Sequence, residues 1–114
     1  MRVLNFATAV LLVAMASARA EEKPTRFWNL TAWTITNFKL APAGTEKFGP
    51  NQCLNDKDAS VDGDERLKIT GVATGQYDAR IVFKNGRICR AKNLSVVEGQ
   101  IFDIGDKDLV DCSK

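Results

Sequence analysis

The dipeptide Asn85-Gly86 lies between Ile81-Val82-Phe83-Lys84 and Arg87-Ile88-Cys89, and it narrows what this chain can become more than any other feature. Two apolar, β-branched runs joined by residues that tolerate positive φ read as an antiparallel hairpin. A type I′ turn is the tight connection expected there, because its twist matches that of the strands it joins. On the incoming arm Tyr77, Ala79, Ile81 and Phe83 share one face, and Asp78, Arg80 and Val82 share the other. The return arm continues through Leu94, Val96 and Val97, with Lys92-Asn93 reading as a bulge.

The remaining segments carry the same two-residue period. From Arg26 to Leu40 the chain is rich in aromatic and β-branched residues, which predicts one strand, buried on both faces near its start and bulged near Ala32. Pro42-Ala43-Gly44-Thr45 ends it. Glu46 to Glu65 reads as a long irregular connection, either functional or concealing a short strand. Leu67 and Ile69 alternate with Arg66, Lys68 and Thr70, and Gly71 to Gly75 turns the chain. Glu98-Gly99 turns it again into Ile101-Phe102-Asp103-Ile104, and Asp106 to Cys112 forms a tail strand or turn carrying Leu109 and Val110. After the first twenty residues no stretch keeps a helical apolar period over three turns. The expected fold is all-β, a small antiparallel sandwich of about six or seven strands.

The N-terminus has a different character. Arg2, an apolar run from Ala7 to Met15 and small residues ending in Ala18-Arg19-Ala20 describe a secretory signal peptide whose apolar part is too short for a membrane span. Residues 1–20 are expected to be cleaved, leaving residues 21–114 as a single β-sandwich domain that is periplasmic or secreted. There is no twin-arginine pair, and the first cysteine, Cys53, lies far from the cleavage site, which disfavours a lipid anchor. Cleavage removes Arg2 and Arg19 from 16 basic residues and none of the 14 acidic ones, so the processed chain has a formal charge of zero. That balance gives no reason to expect nucleic acid as a partner or stable membrane insertion.

Export would deliver Cys53, Cys89 and Cys112 to a compartment where disulfides persist. Three thiols allow one internal bridge in three possible pairings. Cys89 with Cys112 is favoured, because it fastens the tail to a central strand, whereas Cys53 sits in a polar loop. Closing that loop is worth about 3 kcal/mol in the chain-entropy account.

Several segments together carry a resemblance: Asn29-Leu30-Thr31, Leu40-Ala41-Pro42-Ala43-Gly44-Thr45, Gly49-Pro50-Asn51-Gln52, the stretch from Asp56 to Leu67, Tyr77-Asp78, Gly86-Arg87-Ile88-Cys89 and Asp108-Leu109-Val110-Asp111-Cys112. Across nearly the whole processed chain they resemble a family of small exported proteobacterial proteins, each a cleaved signal followed by one compact β domain of unknown function. The resemblance implies location and fold, and it implies no catalytic residues. Ile69-Thr70-Gly71, Gly75-Gln76-Tyr77-Asp78, Gly86 and Val97-Glu98-Gly99-Gln100 are similar in spacing to transthyretin-like β-sandwich modules.

Chemistry-bearing residues fall into three groups. Asp56, Asp58, Ser60, Asp62 and Asp64 place oxygen ligands at alternate positions, as a hard cation such as Ca²⁺ requires, but an EF-hand loop would need Gly and Glu where Val61 and Leu67 stand. A solvated turn is the favoured reading. Phe27, Trp28, Trp33, Phe38 and Phe48 form a core or line a partner surface, with the core favoured; Phe27 and Trp28 cannot both face it from one regular strand. An exposed Trp28 or Trp33 would be an interaction anchor. Arg80, Lys84, Arg87, Arg90 and Lys92 give the hairpin a basic surface, which acids of the tail (Glu98, Asp103, Asp106, Asp108, Asp111) are expected to neutralise across the sheet.

Asn29-Leu30-Thr31 and Asn93-Leu94-Ser95 match the glycosylation pattern but lie on predicted strands. The chain has no histidine, which excludes His-assisted Ser or Cys nucleophiles and His-ligated zinc or copper. No cofactor is expected. The expected role is an exported cell-envelope binding protein without catalytic activity, acting on an envelope protein or small ligand, with Trp28, Trp33, Arg87 and Arg90 as candidate surface residues. A Ca²⁺-dependent structural or sensor domain is the alternative, and a carboxylate-based hydrolase a distant one.

Overall fold

The computed structural model describes residues 23–113, so the leader expected over residues 1–20 lies outside them. In chain order the strands are β1 (Thr25–Leu30), β2 (Ile35–Pro42), β3 (Arg66–Ile69), β4 (Gly75–Phe83), β5 (Ile88–Val96), β6 (Ile101–Gly105) and β7 (Val110–Ser113). They form two sheets, one in the order β3-β1-β6 and the other in the order β2-β4-β5-β7. The fold is all-β, as expected. Pairing is antiparallel except between β1 and β6, which run parallel.

The segment expected as one strand from Arg26 to Leu40 is two strands in different sheets. Asn29 causes the break. Its side chain is fully buried, and Nδ2 donates to the carbonyls of Trp33 (2.9 Å) and Val61 (3.1 Å). Its Oδ1 accepts from the N–H of Thr31 (3.0 Å) and from Thr31 Oγ1 (2.6 Å). Local bonds of this kind compete with the ladder, so the chain turns out of one sheet and enters the other. The first sequon asparagine is therefore a buried corner post.

Apolar residues from both sheets meet between them. Phe27 of β1 stacks on Phe38 of β2 with centroids 4.2 Å apart, and Phe102 of β6 lies 5.6 Å from Phe27. Ile35, Leu67, Ile81, Phe83, Val96 and Ile104 complete a fully buried interior. The alternation read in β3, β4 and β6 holds: Leu67, Ile69, Ala79, Ile81, Phe83, Phe102 and Ile104 all point inward.

The hairpin forms, but its turn is one residue longer than expected. Gly86 N–H donates to the Phe83 carbonyl (2.8 Å) and Phe83 N–H to the Arg87 carbonyl (2.9 Å), enclosing Lys84-Asn85-Gly86. Only Gly86, at φ 91°, has positive φ; Asn85 does not. This is the three-residue loop closed by a left-handed glycine, in place of a type I′ turn. The bulge expected at Lys92-Asn93 is present: Tyr77 pairs with Leu94 and Ala79 with Ala91, leaving β5 one residue in excess, and Asn93 has φ 55°.

The connection between β2 and β3 does contain a short pairing. Ile35 and Val61 exchange backbone hydrogen bonds of 2.9 and 3.0 Å. Before it, a 3₁₀ turn over Gln52–Asn55 bonds to the free edges of both sheets. Asn51 accepts from Phe38 N–H and donates to the Thr36 carbonyl, while Gln52 bonds the N–H and carbonyl of Thr70 and Asn55 donates to the Lys68 carbonyl. The long segment is thus a strap that satisfies two edges which would otherwise invite pairing with another chain.

Cys89 and Cys112 are bridged, joining β5 to the edge strand β7. Cys53 is free and fully buried, and its Sγ donates to the Ile35 carbonyl at 3.7 Å. Burial, helped by nearby Asp56, pushes its thiol pKa up to about 12. It is therefore a core residue with no reactive thiolate at neutral pH.

Candidate functional site: the solvent face of the four-stranded sheet

Strand alternation decides which side chains this face presents. Phe38 and Leu40 of β2, Ala79 and Ile81 of β4, and Cys89 and Ala91 of β5 point inward, so Lys39, Arg80 and Arg90 point outward. The register places these three side by side, Lys39 opposite Arg80 and Arg80 opposite Arg90. A row of like charges on neighbouring strands is unfavourable by itself.

One of the three is compensated. Arg90 makes a two-pronged contact with Glu46 of the strap, Nη1 to Oε2 and Nη2 to Oε1, both at 3.2 Å. Its guanidinium also lies 5.1 Å from the ring centre of Phe48. The hydrogen bond and charge of Arg90 hold the Glu46 carboxyl below its usual range, and Glu46 raises the pKa of Arg90 in turn. Among the described residues the other ion pairs are Lys92 with Asp111 at 4.0 Å and Lys107 with Asp108 at 3.4 Å, so Lys39 and Arg80 have no carboxylate partner there.

Among the described residues the expected neutralisation of the hairpin by the tail comes from Asp111 alone, which pairs with Lys92 at 4.0 Å and whose charge also favours the charged form of Arg90. Asp103 sits on the other sheet, Asp106 accepts from Ala32 N–H at 3.5 Å, and Asp108 accepts from Gly105 N–H at 2.9 Å. Next to the cationic row, Asp78 is buried and accepts from the N–H groups of Asn93 (3.0 Å) and Gly44 (2.9 Å). These two bonds lower its pKa. Its role is to pin the β5 bulge to the turn after β2.

The remaining candidate residues lie apart from this face. Trp28 is half-buried on the outer side of the three-stranded sheet, with Nε1 donating to Asp64 Oδ1 at 3.1 Å and the Arg66 guanidinium 4.2 Å from its ring centre. Trp33 stands at the corner between β1 and β2 and is 49% exposed. Arg87, at the hairpin end, has a buried Nε without a partner among the described residues. Trp28, Trp33, Arg87 and Arg90 therefore do not form one surface. Arg80 and Arg90 belong to the basic hairpin surface expected from the sequence, whereas Lys39, on a strand distant in sequence, was not expected beside them. Matching inward with inward residues along the hairpin would have found Arg80 opposite Arg90.

The acidic loop spends much of its oxygen on the protein itself. Asp56 Oδ2 accepts from Asp58 N–H (2.9 Å), Asp62 Oδ1 from Thr34 Oγ1 (2.8 Å), and Asp64 Oδ1 from Trp28. Ser60 is half-buried and Asp58 exposed. Among the described residues no three His, Cys, Asp or Glu side chains are grouped so as to hold a metal ion. Two open depressions, of about 550 and 630 Å³, flank the start of β1, and among the described residues Glu98 is the only acidic one lining either. No helix of the described residues is long and apolar enough to cross a membrane.

No protein-family model, curated protein or solved structure matches this chain.

Proposed function

We propose that this chain is an exported cell-envelope protein that works by binding, without catalytic activity. The observation that carries the reading is the cationic row of Lys39, Arg80 and Arg90 on an open sheet face, with charge in register and only Arg90 compensated among the described residues. A sheet face of this kind suits contact with a partner surface. The signal-like residues 1–20 and the Cys89–Cys112 bridge support export to an oxidising compartment, periplasmic or extracellular. The resemblance to small exported proteobacterial β-domain proteins points the same way.

Two measurements test this. Intact-mass analysis of the exported form is expected to show a chain beginning at Glu21; retention of Met1 would overturn the location. Affinity capture from envelope extract with the oxidised protein is expected to retain a specific partner. Loss of that retention after reduction and unfolding would tie it to the fold, and failure to retain anything would remove the binding reading.

A further inference from the structure

We propose that Lys39, Arg80 and Arg90 form a docking strip for an acidic, extended segment of a partner protein. This rests on the binding reading above and names the chemistry of the occupant. Three cations in one cross-strand row raise the energy of the isolated face, and an incoming row of carboxylates relieves that cost. The strip already holds one such group. Glu46, on an exposed loop, reaches over the sheet to Arg90 with both oxygens at 3.2 Å, and Phe48, two residues on, lies against the same guanidinium. A carboxylate followed at the second position by an aromatic ring is therefore a working example of what this surface accepts.

The geometry extends that example to the other two cations. Neighbouring strands are about 4.8 Å apart, so the row spans roughly 10 Å across β2, β4 and β5. Same-side carboxylates on an extended peptide repeat at about 6.7 Å, close enough for flexible Lys and Arg side chains to meet two of them. Glu46 competes for Arg90, so it limits the strip to its Lys39 and Arg80 end until displaced.

The test is fluorescence anisotropy with a short labelled polyglutamate peptide, at low and at moderate salt. The wild type is expected to bind, more weakly as salt rises. The Lys39→Gln, Arg80→Gln double variant should bind about tenfold more weakly, equivalent to about 1.4 kcal/mol. Glu46→Gln should bind several-fold more tightly, because it frees Arg90. A merely structural role for Glu46 would give unchanged or weaker binding. Equal binding by the wild type and the double variant overturns the proposal, as does unchanged or weaker binding by Glu46→Gln.

Inorganic phosphate and phosphatidylglycerol vesicles serve as comparators. If either binds while polyglutamate does not, the strip takes a small anion or a lipid surface and the proposal fails. Envelope capture separates the two levels of the reading. A partner retained equally by the wild type and the double variant overturns the strip and leaves the binding reading standing, whereas no retained partner overturns both.

Discussion

Phe27 and Phe38 stack face to face, with ring centroids 4.2 Å apart and 7° between their planes. In one unbroken strand an odd and an even position would point to opposite faces. The corner at Asn29 sends the two rings to different sheets, where both point inward. Phe38→Ala should therefore remove a central part of the core, at a cost of about 3 to 5 kcal/mol. A urea melt that moves by much less would mean that the sheets repack around the gap.

Asn29 is expected to be as sensitive as an aromatic core residue. Replacing it with Ala leaves the Thr31 N–H buried and unmet, at a cost of about 1 to 3 kcal/mol. It also takes from the Trp33 and Val61 carbonyls one of the two hydrogen bonds each accepts, the others coming from Thr31 Oγ1 and Ile35 N–H. Asn29→Asp keeps the acceptor but loses both donors and adds a buried charge, so it should be at least as harmful at neutral pH. Thermal unfolding of both variants beside wild type checks the order.

At the hairpin, Gly86 has φ 91°, a conformation that a β-branched residue resists. Gly86→Val should cost roughly 1 to 3 kcal/mol, and Gly86→Asn less, because Asn tolerates the left-handed region. Overlaid denaturant melts for Gly86→Val and wild type, with the bridge intact in both, would contradict the turn.

Acid should destabilise this fold partly through Asp78. Its carboxylate is held by the Asn93 and Gly44 N–H groups, so its folded pKa lies below the ordinary 3.8. The sign follows from linkage: the stabilisation is fully present above the unfolded value and is lost as pH falls through the lower folded one. Asp78→Asn should flatten stability against pH in that acid range. Asp108, lowered by its bond to Gly105 N–H, keeps part of the slope. An unchanged slope in the variant would assign the acid response elsewhere.

Thiol titration distinguishes the three cysteines. The folded oxidised protein should not react, because Cys53 is buried with its pKa raised to about 12. Unfolding without reductant should expose one equivalent and reduction three. Breaking the bridge, which closes a sequence separation of 23, should lower stability by about 3 kcal/mol. Three equivalents from the unfolded, unreduced protein would show that no bridge had formed.

Much of this architecture was legible in the chain. Alternation in Tyr77 to Phe83, in Leu67 and Ile69, and in Phe102 and Ile104 marked the strands and their inner faces, because a pleated strand with one buried face writes a period of two into the sequence. The Lys92-Asn93 bulge and the Cys89–Cys112 pairing were legible too, from polar residues that interrupt the alternation and from the value of anchoring a tail. The corner at Asn29 was not. Its bonds to Thr31 and Trp33 are local, but an Asn followed by Thr is equally at home in an edge strand or a loop. The bond that holds the corner to the rest of the fold reaches Val61, 32 residues away, which leaves no local trace.

The cationic row depended on the same limit in its sharpest form. Asn85-Gly86 between two alternating apolar runs located a hairpin there, because a glycine allows the positive φ that the reversal needs. It did not determine the register. A two-residue loop would set Ile81 opposite Arg90, whereas the observed three-residue loop sets Arg80 there and Ile81 opposite Cys89. A one-residue slip exchanges the faces of a whole strand, so packing decides it: only the longer loop puts Ile81, Phe83, Cys89 and Ala91 together against the opposite sheet. Local backbone preference thus located the turn, and burial of the core chose the pairing that leaves Lys39, Arg80 and Arg90 in line on the outside.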